Sequence, residues 1–255
     1  MAEKLDEEID AIAGWLRESN KTVALTGAGI STDSGIPDFR GPQGLWTKNP
    51  EAEKKATIQH FLSSSDARRE SWRNRLNNPM GAAEPNMGHV ALAELEHKGK
   101  LDTLVTQNVD GLHVDAGTSP DRLVEIHGTV REFQCLSCPD RGPIELVLQR
   151  VEQGDDDPAC KSCGGILKTA TISFGQNLVR KDLERSEAAA STCDAFLAVG
   201  TSLTVYPVAL LPEMAIRNGA KLIIINAQDT PYDSYAHAVI QEPISEVLPR
   251  IVEQV

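Results

Sequence analysis

The sequence predicts an α/β protein built on a parallel sheet with helices on both faces and two small inserts. Three observations predict it. Brief apolar runs at 21–25, 101–106, 194–199 and 221–225 alternate with amphipathic helical patterns. These runs and a strand-like segment at 123–126 lead into polar or glycine-bearing turns at 26–31, 107–110, 127–128, 200–202 and 226–228. Such turns mark the carboxyl edge where open α/β sheets bind ligands. Finally, Cys135-x-x-Cys138 and Cys160-x-x-Cys163 form paired thiol turns in one short segment.

Residues 3–19 place Leu5, Ile9, Ile12, Ala13 and Leu16 on one helical face with acids opposite. The run KTVAL follows as a buried strand and opens into Gly27-Ala28-Gly29, a turn that lets backbone approach something bulky. After a first strand, bare N–H groups in such a turn suit a pyrophosphate. The dinucleotide fingerprint is incomplete, because Thr32 stands where its third glycine would be and no acidic second strand follows. Ile36-Pro37-Asp38-Phe39-Arg40-Gly41 is too rich in Gly and Pro for a helix and reads as a lid.

Between Lys48 and Pro85 apolar content falls, and short helical patterns at 57–63 and 66–76 suggest a helical insert whose Arg68–Arg75 run is a solvated face. Asn86 is placed to cap a helix through His89, Leu92 and Leu95 that stops at Gly99, with His89 and His97 structural or on the surface. Strand 101–106 ends in Gln107-Asn108-Val109-Asp110, where Asp110 suits either a ligand or a helix cap. Segment 123–126 runs into His127-Gly128. Four thiolates satisfy a tetrahedral zinc ion with no open position, so Cys135, Cys138, Cys160 and Cys163 read as a structural site that replaces a core too small to form by burial. The turn Gln153–Pro158 reads as an exposed acidic linker. Thr169–Phe174 is extended, 181–190 helical, 194–199 a buried strand and 207–218 a helix stopped by Gly219. Strand 221–225 is central by its unbroken apolar run, and 245–254 closes the chain as a helix. Cys193 reads as a small buried apolar side chain.

With 255 residues, 40% hydrophobic and 24% charged, the chain suits one globular domain with small inserts. A net charge of −12 argues against nucleic acid and suits basic, lysine-rich partners. The charged start MAEKLDEEID lacks a signal core and no run is long enough to span a bilayer, so a cytoplasmic protein without a membrane partner is expected, monomeric by default.

GAGIS, IPDFRG, TQNVDGLH, a His-Gly pair, CxxC…CxxC, GTSL and a strand-end IN stand in order from Val23 to about Pro249. This set resembles the sirtuin (Sir2) family of NAD-dependent protein deacylases. The resemblance implies a Rossmann-like part over 1–45, 85–132 and 168–255, a helical insert over 46–84 and a zinc module over 133–167, together one sirtuin-type domain. It implies NAD consumed as co-substrate, one structural Zn²⁺, and an acyl-lysine peptide that yields free lysine, nicotinamide and O-acyl-ADP-ribose. By matching position, Gly27, Ala28, Gly29, Ser31 and Arg40 would hold the pyrophosphate side, Phe39 would cover the nicotinamide end, and Ile36 would be a further cofactor contact. Asn108 and Asp110 would line the nicotinamide pocket as catalytic residues, Gln107 the ribose, and His127 would be the general base. Gly200, Thr201, Ser202, Asn226, Ala227 and Ile244 would lie on the cofactor's other side.

Two departures bear on the substrate. Phe174-Gly175-Gln176 stands where many members have Phe-Gly-Glu, which touches peptide preference rather than catalysis. The Tyr-x-x-Arg of members that prefer succinyl- or malonyl-lysine is missing at Arg69-Glu70-Ser71-Trp72, which favours acetyl or another uncharged acyl group, with Arg73 or Arg75 another route to an acidic one. The wording from Phe39 to Thr47 also resembles a branch in which ADP-ribosyl transfer has been considered. A mono-ADP-ribosyltransferase and a non-catalytic NAD-sensing module are the competing readings.

Overall fold

The computed structural model describes residues 2–77 and 82–255. The first part of the chain holds α1 (Ala2–Glu18), β1 (Thr22–Thr26), α2 (Leu45–Lys48), α3 (Pro50–Lys55), α4 (Ile58–Ser63) and α5 (Ser65–Leu76). Next come α6 (Met87–His97), β2 (Leu101–Thr106), α7 (Leu112–Asp115), β3 (Leu123–Glu125), β4 (Gly128–Cys135), β5 (Arg141–Pro143), α8 (Glu145–Glu152) and β6 (Leu167–Thr171). The chain closes with α9 (Arg180–Ala190), β7 (Ala195–Val199), α10 (Leu211–Arg217), β8 (Lys221–Ile225), β9 (Ala238–Ile240) and α11 (Ile244–Glu253).

Six parallel strands stand in the order β3-β2-β1-β7-β8-β9. Because successive strand side chains point to opposite faces, each central strand feeds two cores. Ala24, Leu197, Val199, Ile223 and Ile225 face a core closed by α1, α6 and α11. Val23, Leu25, Phe196, Ala198, Leu222 and Ile224 face the other, closed by residues of α9 and α10 and containing Cys193. The stripe read on the first helix is buried as expected: Ile9, Ile12, Ala13 and Leu16 are wholly inaccessible. Asn86 caps α6 as expected, its Oδ1 accepting the Gly88 N–H at 2.9 Å while its own N–H donates to His89 Nδ1 at 3.3 Å.

The order places a topological switch between β1 and β7, since the chain leaves β1 toward β2 and β3 and returns on β1's other side. On the way it builds a second sheet, β5-β4-β6, antiparallel throughout. Trp72 of α5 enters the core of that sheet beside Phe133, Val147, Val151 and Leu167.

Several elements differ from the expectation. The extended segment lies at Leu167–Thr171 rather than 169–174, because it pairs with β4, and residues 172–174 leave the ladder. The helix expected from 207 begins with a 3₁₀ turn at Val208–Leu210 and is α-helical only from Leu211. The Arg68–Arg75 run is no uniformly solvated face, nor is the acidic turn an idle linker: Arg68 pairs with Asp157 and Arg69 with Asp156. Among the described residues no helix is long and apolar enough to cross a membrane.

Candidate active site

At the switch point the loops leaving β1 and β7 interlock. Gly27 N–H donates to Val199 O at 3.2 Å and Gly29 N–H to Gly200 O at 2.8 Å. A Cβ on Gly29 would lie 2.8 Å from Gly200 Cα, and one on Gly200 (φ +61°) only 2.3 Å from Ile30 N. The bulky neighbour these glycines admit is therefore the protein's own second loop, not a ligand alone. Two of the N–H groups expected to be bare, those of Gly27 and Gly29, are therefore already engaged, and the next, Ile30 N–H, donates to Gly27 O. Beyond Gly27 the chain winds through 3₁₀ turns from Ala28 to Ser34, which carry Ser31 inward.

Ser31 is the hub of a buried polar layer. Its Oγ donates to Asp110 Oδ2 at 2.8 Å and accepts from Asn108 Nδ2 at 3.0 Å, which also donates to Gly27 O at 3.1 Å. Asp110 Oδ1 accepts the Leu112 N–H at 3.0 Å, so its carboxylate both caps the α7 turn and faces the site. Below lie Thr26 and Thr106, Oγ1 to Oγ1 at 2.8 Å, and His113, whose Nε2 is 3.0 Å from Thr26 Oγ1. His89 lies against His113 at 4.8 Å between ring centroids with the rings tilted by 59°, and burial lowers both pKa values, that of His89 to about 4, which favours neutral rings. This layer was not read from the sequence; its signal was a threonine at the last position of both β1 and β2.

His127 stands in the two-residue link between β3 and β4, immediately before Gly128. Its Nδ1 is 3.0 Å from Gln107 O, and since a carbonyl only accepts, Nδ1 carries the proton and Nε2 keeps its lone pair. Burial lowers the imidazole pKa, and the Gln107 carbonyl partly opposes that. Gln107 Nε2 reaches Thr201 Oγ1 at 2.9 Å and so joins the ends of β2 and β7. His127 O in turn accepts Ile172 N–H at 2.8 Å, which ties this histidine to the antiparallel sheet.

The segment read as a lid is held by its own backbone: Leu45 N–H donates to Asp38 O and Trp46 N–H to Phe39 O, both at 2.9 Å. Phe39 lies against Trp46 (4.5 Å), Trp46 against Phe174 (5.7 Å), and the Arg40 guanidinium covers the Trp46 ring at 4.5 Å. Ile36 lines an open depression of about 360 Å³ with Thr32, Gly35, Pro37 and Asp38. On the far side, Ser202 Oγ pairs with Thr204 Oγ1, Asn226 Nδ2 donates to Gln228 O, and Ala227 is exposed. Ile244 opens α11 and packs toward Gly88, at the edge of the core rather than among the strand-end polar groups.

Of the sequence-predicted residues, Gly27, Gly29, Ser31, Gln107, Asn108, Asp110, His127, Gly200 and Thr201 are linked by hydrogen bonds or close backbone contact at the carboxyl edge, whereas Phe39 and Arg40 pack on Trp46, Ile36 lines the separate depression, Ser202 and Asn226 make local contacts and Ile244 sits at the edge of the core. Polar groups from β1, β2, β3 and β7 converge at the carboxyl edge, and the glycine contacts leave backbone rather than side chains at the floor, which fits a dinucleotide. The four cysteines also meet: their Sγ atoms lie within 4.8 Å of one another, with Cys135–Cys163 at 3.5 Å and Cys138–Cys160 at 3.7 Å. Ligands about 2.3 Å from a tetrahedral zinc stand about 3.8 Å apart, so this soft donor set fits zinc.

Comparison with known proteins agrees with that geometry. The Sir2 family model matches residues 27–207. An NAD-dependent protein deacetylase 2 of Streptomyces coelicolor is 49% identical over 228 residues, which cover 89% of this chain and 95% of that protein. A Sir2 structure with a deacetylated p53 peptide and 3′-O-acetyl ADP ribose superposes with a TM-score of 0.88 at 37% identity, covering 96% of this chain and 98% of the other. A Sir2 complex with a p53 peptide and NAD⁺ superposes at 0.86, also at 37% identity and with the same coverages. With most of its length matched in sequence and nearly all of it in fold, the chain belongs to the Sir2 family.

Proposed function

We propose that this chain is an NAD-dependent protein-lysine deacylase in which His127 is the general base. The observation that carries the assignment is the hydrogen bond from His127 Nδ1 to Gln107 O, which leaves Nε2 as the proton acceptor at the crevice. NAD, bound in the crevice, supplies an electrophilic ribose carbon on loss of nicotinamide and a ribose hydroxyl that receives the acyl group.

The chain's own residues bind, orient and exclude. Asn108 and Asp110, fixed through Ser31, present an amide and a carboxylate for the nicotinamide end. Gln107 and Thr201 stand at the ribose, with Ser202, Asn226 and Ala227 beyond and Ile244 at the margin. The loop Gly27-Ala28-Gly29 and Arg40 face the pyrophosphate, and Ile36 and Phe39 cover the reacting end against water. His127 Nε2 takes a proton from the ribose hydroxyl, work suited to a neutral imidazole. Cys135, Cys138, Cys160 and Cys163 hold a closed zinc site without a part in the reaction.

The same proposal divides the chain into a Rossmann-like part (1–45, 85–132, 168–255), a helical insert (46–84) and a zinc module (133–167). It describes a monomeric cytoplasmic enzyme acting on acyl-lysine segments, without nucleic acid or membrane partners, and the net charge of −12 supports basic substrates. Mass spectrometry of an acetyl-lysine peptide with and without NAD tests the reaction. Expected are NAD-dependent loss of the acetyl group and formation of O-acetyl-ADP-ribose, both absent in His127→Ala although NAD still binds. Turnover like wild type in that variant would sink the role of His127. ADP-ribose on the protein with every acyl peptide intact would replace the deacylase reading by a transferase.

A further inference from the structure

Arg131 of β4 reaches from the antiparallel sheet to the loop that follows β2. Gly128 pairs with Thr171 and Phe133 with Thr169, so β4 uses three more residues than β6 over that stretch and bulges away from it. A bulge re-aims side chains and frees backbone groups for other partners. Here the Val130 N–H donates to Val109 O at 2.9 Å, between Asn108 and Asp110. The Arg131 backbone is itself fixed: its carbonyl accepts the Ile144 N–H at 2.9 Å, and its N–H donates to Thr129 Oγ1 at 3.3 Å.

The guanidinium holds both ends of the α7 turn. Nη1 donates to Asp115 Oδ1 at 2.9 Å and Nη2 to Asp115 Oδ2, a two-pronged pair with the residue that closes the turn. It also lies over Gly111, which opens the turn: a Cβ there would stand 2.5 Å from Arg131 Cζ. Gly111 has φ +78°, so one residue supplies both the left-handed backbone and the space for the guanidinium. From the other side, Asp110 caps the turn through the Leu112 N–H and meets Ser31. The Asp115 hydrogen bond is the main cause that raises the Arg131 pKa, and the Glu125 and Asp110 charges add to it, so Asp110 lies within the field of this cation.

We infer that Arg131 is a positioning residue for the nicotinamide end of the crevice: it fixes the α7 turn against β4 and thereby the places of the Asp110 carboxylate and the Asn108 amide. The inference rests on the role proposed above for Asn108 and Asp110. It gives the strand that ends in Cys135 a second hold on the site, apart from the bond between Ile172 and His127.

The Arg131 and Asp115 side chains are 42% and 39% exposed, and an exposed pair adds little to stability, so removing it separates positioning from folding. Calorimetric titration of NAD into the zinc-loaded full chain tests the inference, with KM for NAD and for an acetyl-lysine peptide measured beside it. Arg131→Ala and Asp115→Ala are each expected to weaken NAD binding and raise its KM by about three- to tenfold, with the peptide KM within about twofold of wild type. The melting temperature should move by no more than about 4 °C. Arg131→Glu combined with Asp115→Arg re-forms the pair with its charges exchanged and should recover most of the lost affinity. Asp110→Ala is the reference. NAD affinity like wild type in both single variants, with a loss in Asp110→Ala, overturns the positioning role. Affinity like wild type in all three overturns the reading of Asp110 on which that role rests. An equal rise in both KM values with a larger drop in melting temperature makes Arg131 a residue of the fold alone and also overturns it. Should Arg131→Ala fail to fold, Asp115→Ala decides by the same outcomes.

Discussion

Arg68 and Asp157 meet through a two-pronged pair, Nε on Oδ1 at 2.8 Å and Nη2 on Oδ2 at 2.7 Å. The pair joins α5 to the loop after α8, and both side chains are largely covered, 15% and 21% exposed. Two charge-assisted bonds in this geometry exceed an ordinary surface ion pair. Asp157→Ala is expected to cost about 1–2 kcal/mol in denaturant unfolding. A double-mutant cycle with Arg68→Ala should return a coupling above about 0.5 kcal/mol; a value near zero would reduce the pair to an incidental contact.

Since burial lowers the His127 pKa, the proposed role of His127 as a neutral base places the acid limb of kcat/KM below pH 6.5, the ordinary histidine value. A pH–rate profile checks this. An acid limb above that value would mean that a different group, or a charged neighbour supplied by the substrate, controls the step.

Glu125, at the end of β3, lines a cavity of about 200 Å³ with Gln134, Arg141 and Asp182. Burial is the main cause that lifts its pKa from 4.5 to about 7. Between those values the folded chain holds a proton that the unfolded chain has released. The resulting stabilisation is complete below the lower value and lost as pH rises through the upper one. Glu125→Gln cannot lose it, so from pH 5 to pH 8 the variant should gain on wild type by up to about 3 kcal/mol. Denaturation curves at the two pH values measure it, and parallel behaviour of both proteins would contradict a buried acid.

Removing zinc should unfold rather than merely slow the protein, because the four-cysteine cluster closes a sheet whose own core is small. The effect reaches the site through β4, which starts beside His127, and through the Ile172 N–H on His127 O. Chelation or Cys160→Ser is expected to lower the circular-dichroism melting temperature and abolish turnover together. A zinc-free chain with native melting would disprove the dependence.

The parallel strands were legible because buried strands of this kind are short unbroken runs of Val, Ile, Leu and Ala, and α1 because its apolar residues repeat at helical spacing. The cysteine cluster was legible from spacing alone. The small elements α2, α3, β4, β5 and α8 were not, since they are brief or polar and owe their shape to tertiary contacts and metal ligands rather than to local pattern. Long-range pairings were equally hidden: nothing near Arg68 in sequence names Asp157, and nothing near His127 names the Gln107 carbonyl as its partner.

The contact between Gly29 and Gly200 carries a consequence for biosynthesis. The floor of the crevice is shaped by two segments made far apart in time, because the loop after β1 takes its position from the backbone after β7. A nascent chain that has emerged only as far as α9 already contains Asn108, Asp110 and His127, yet it lacks the surface against which its glycine turn is moulded. The glycine turn after β1 therefore reaches its final shape only once synthesis has passed Gly200, with β8 and β9 still to come.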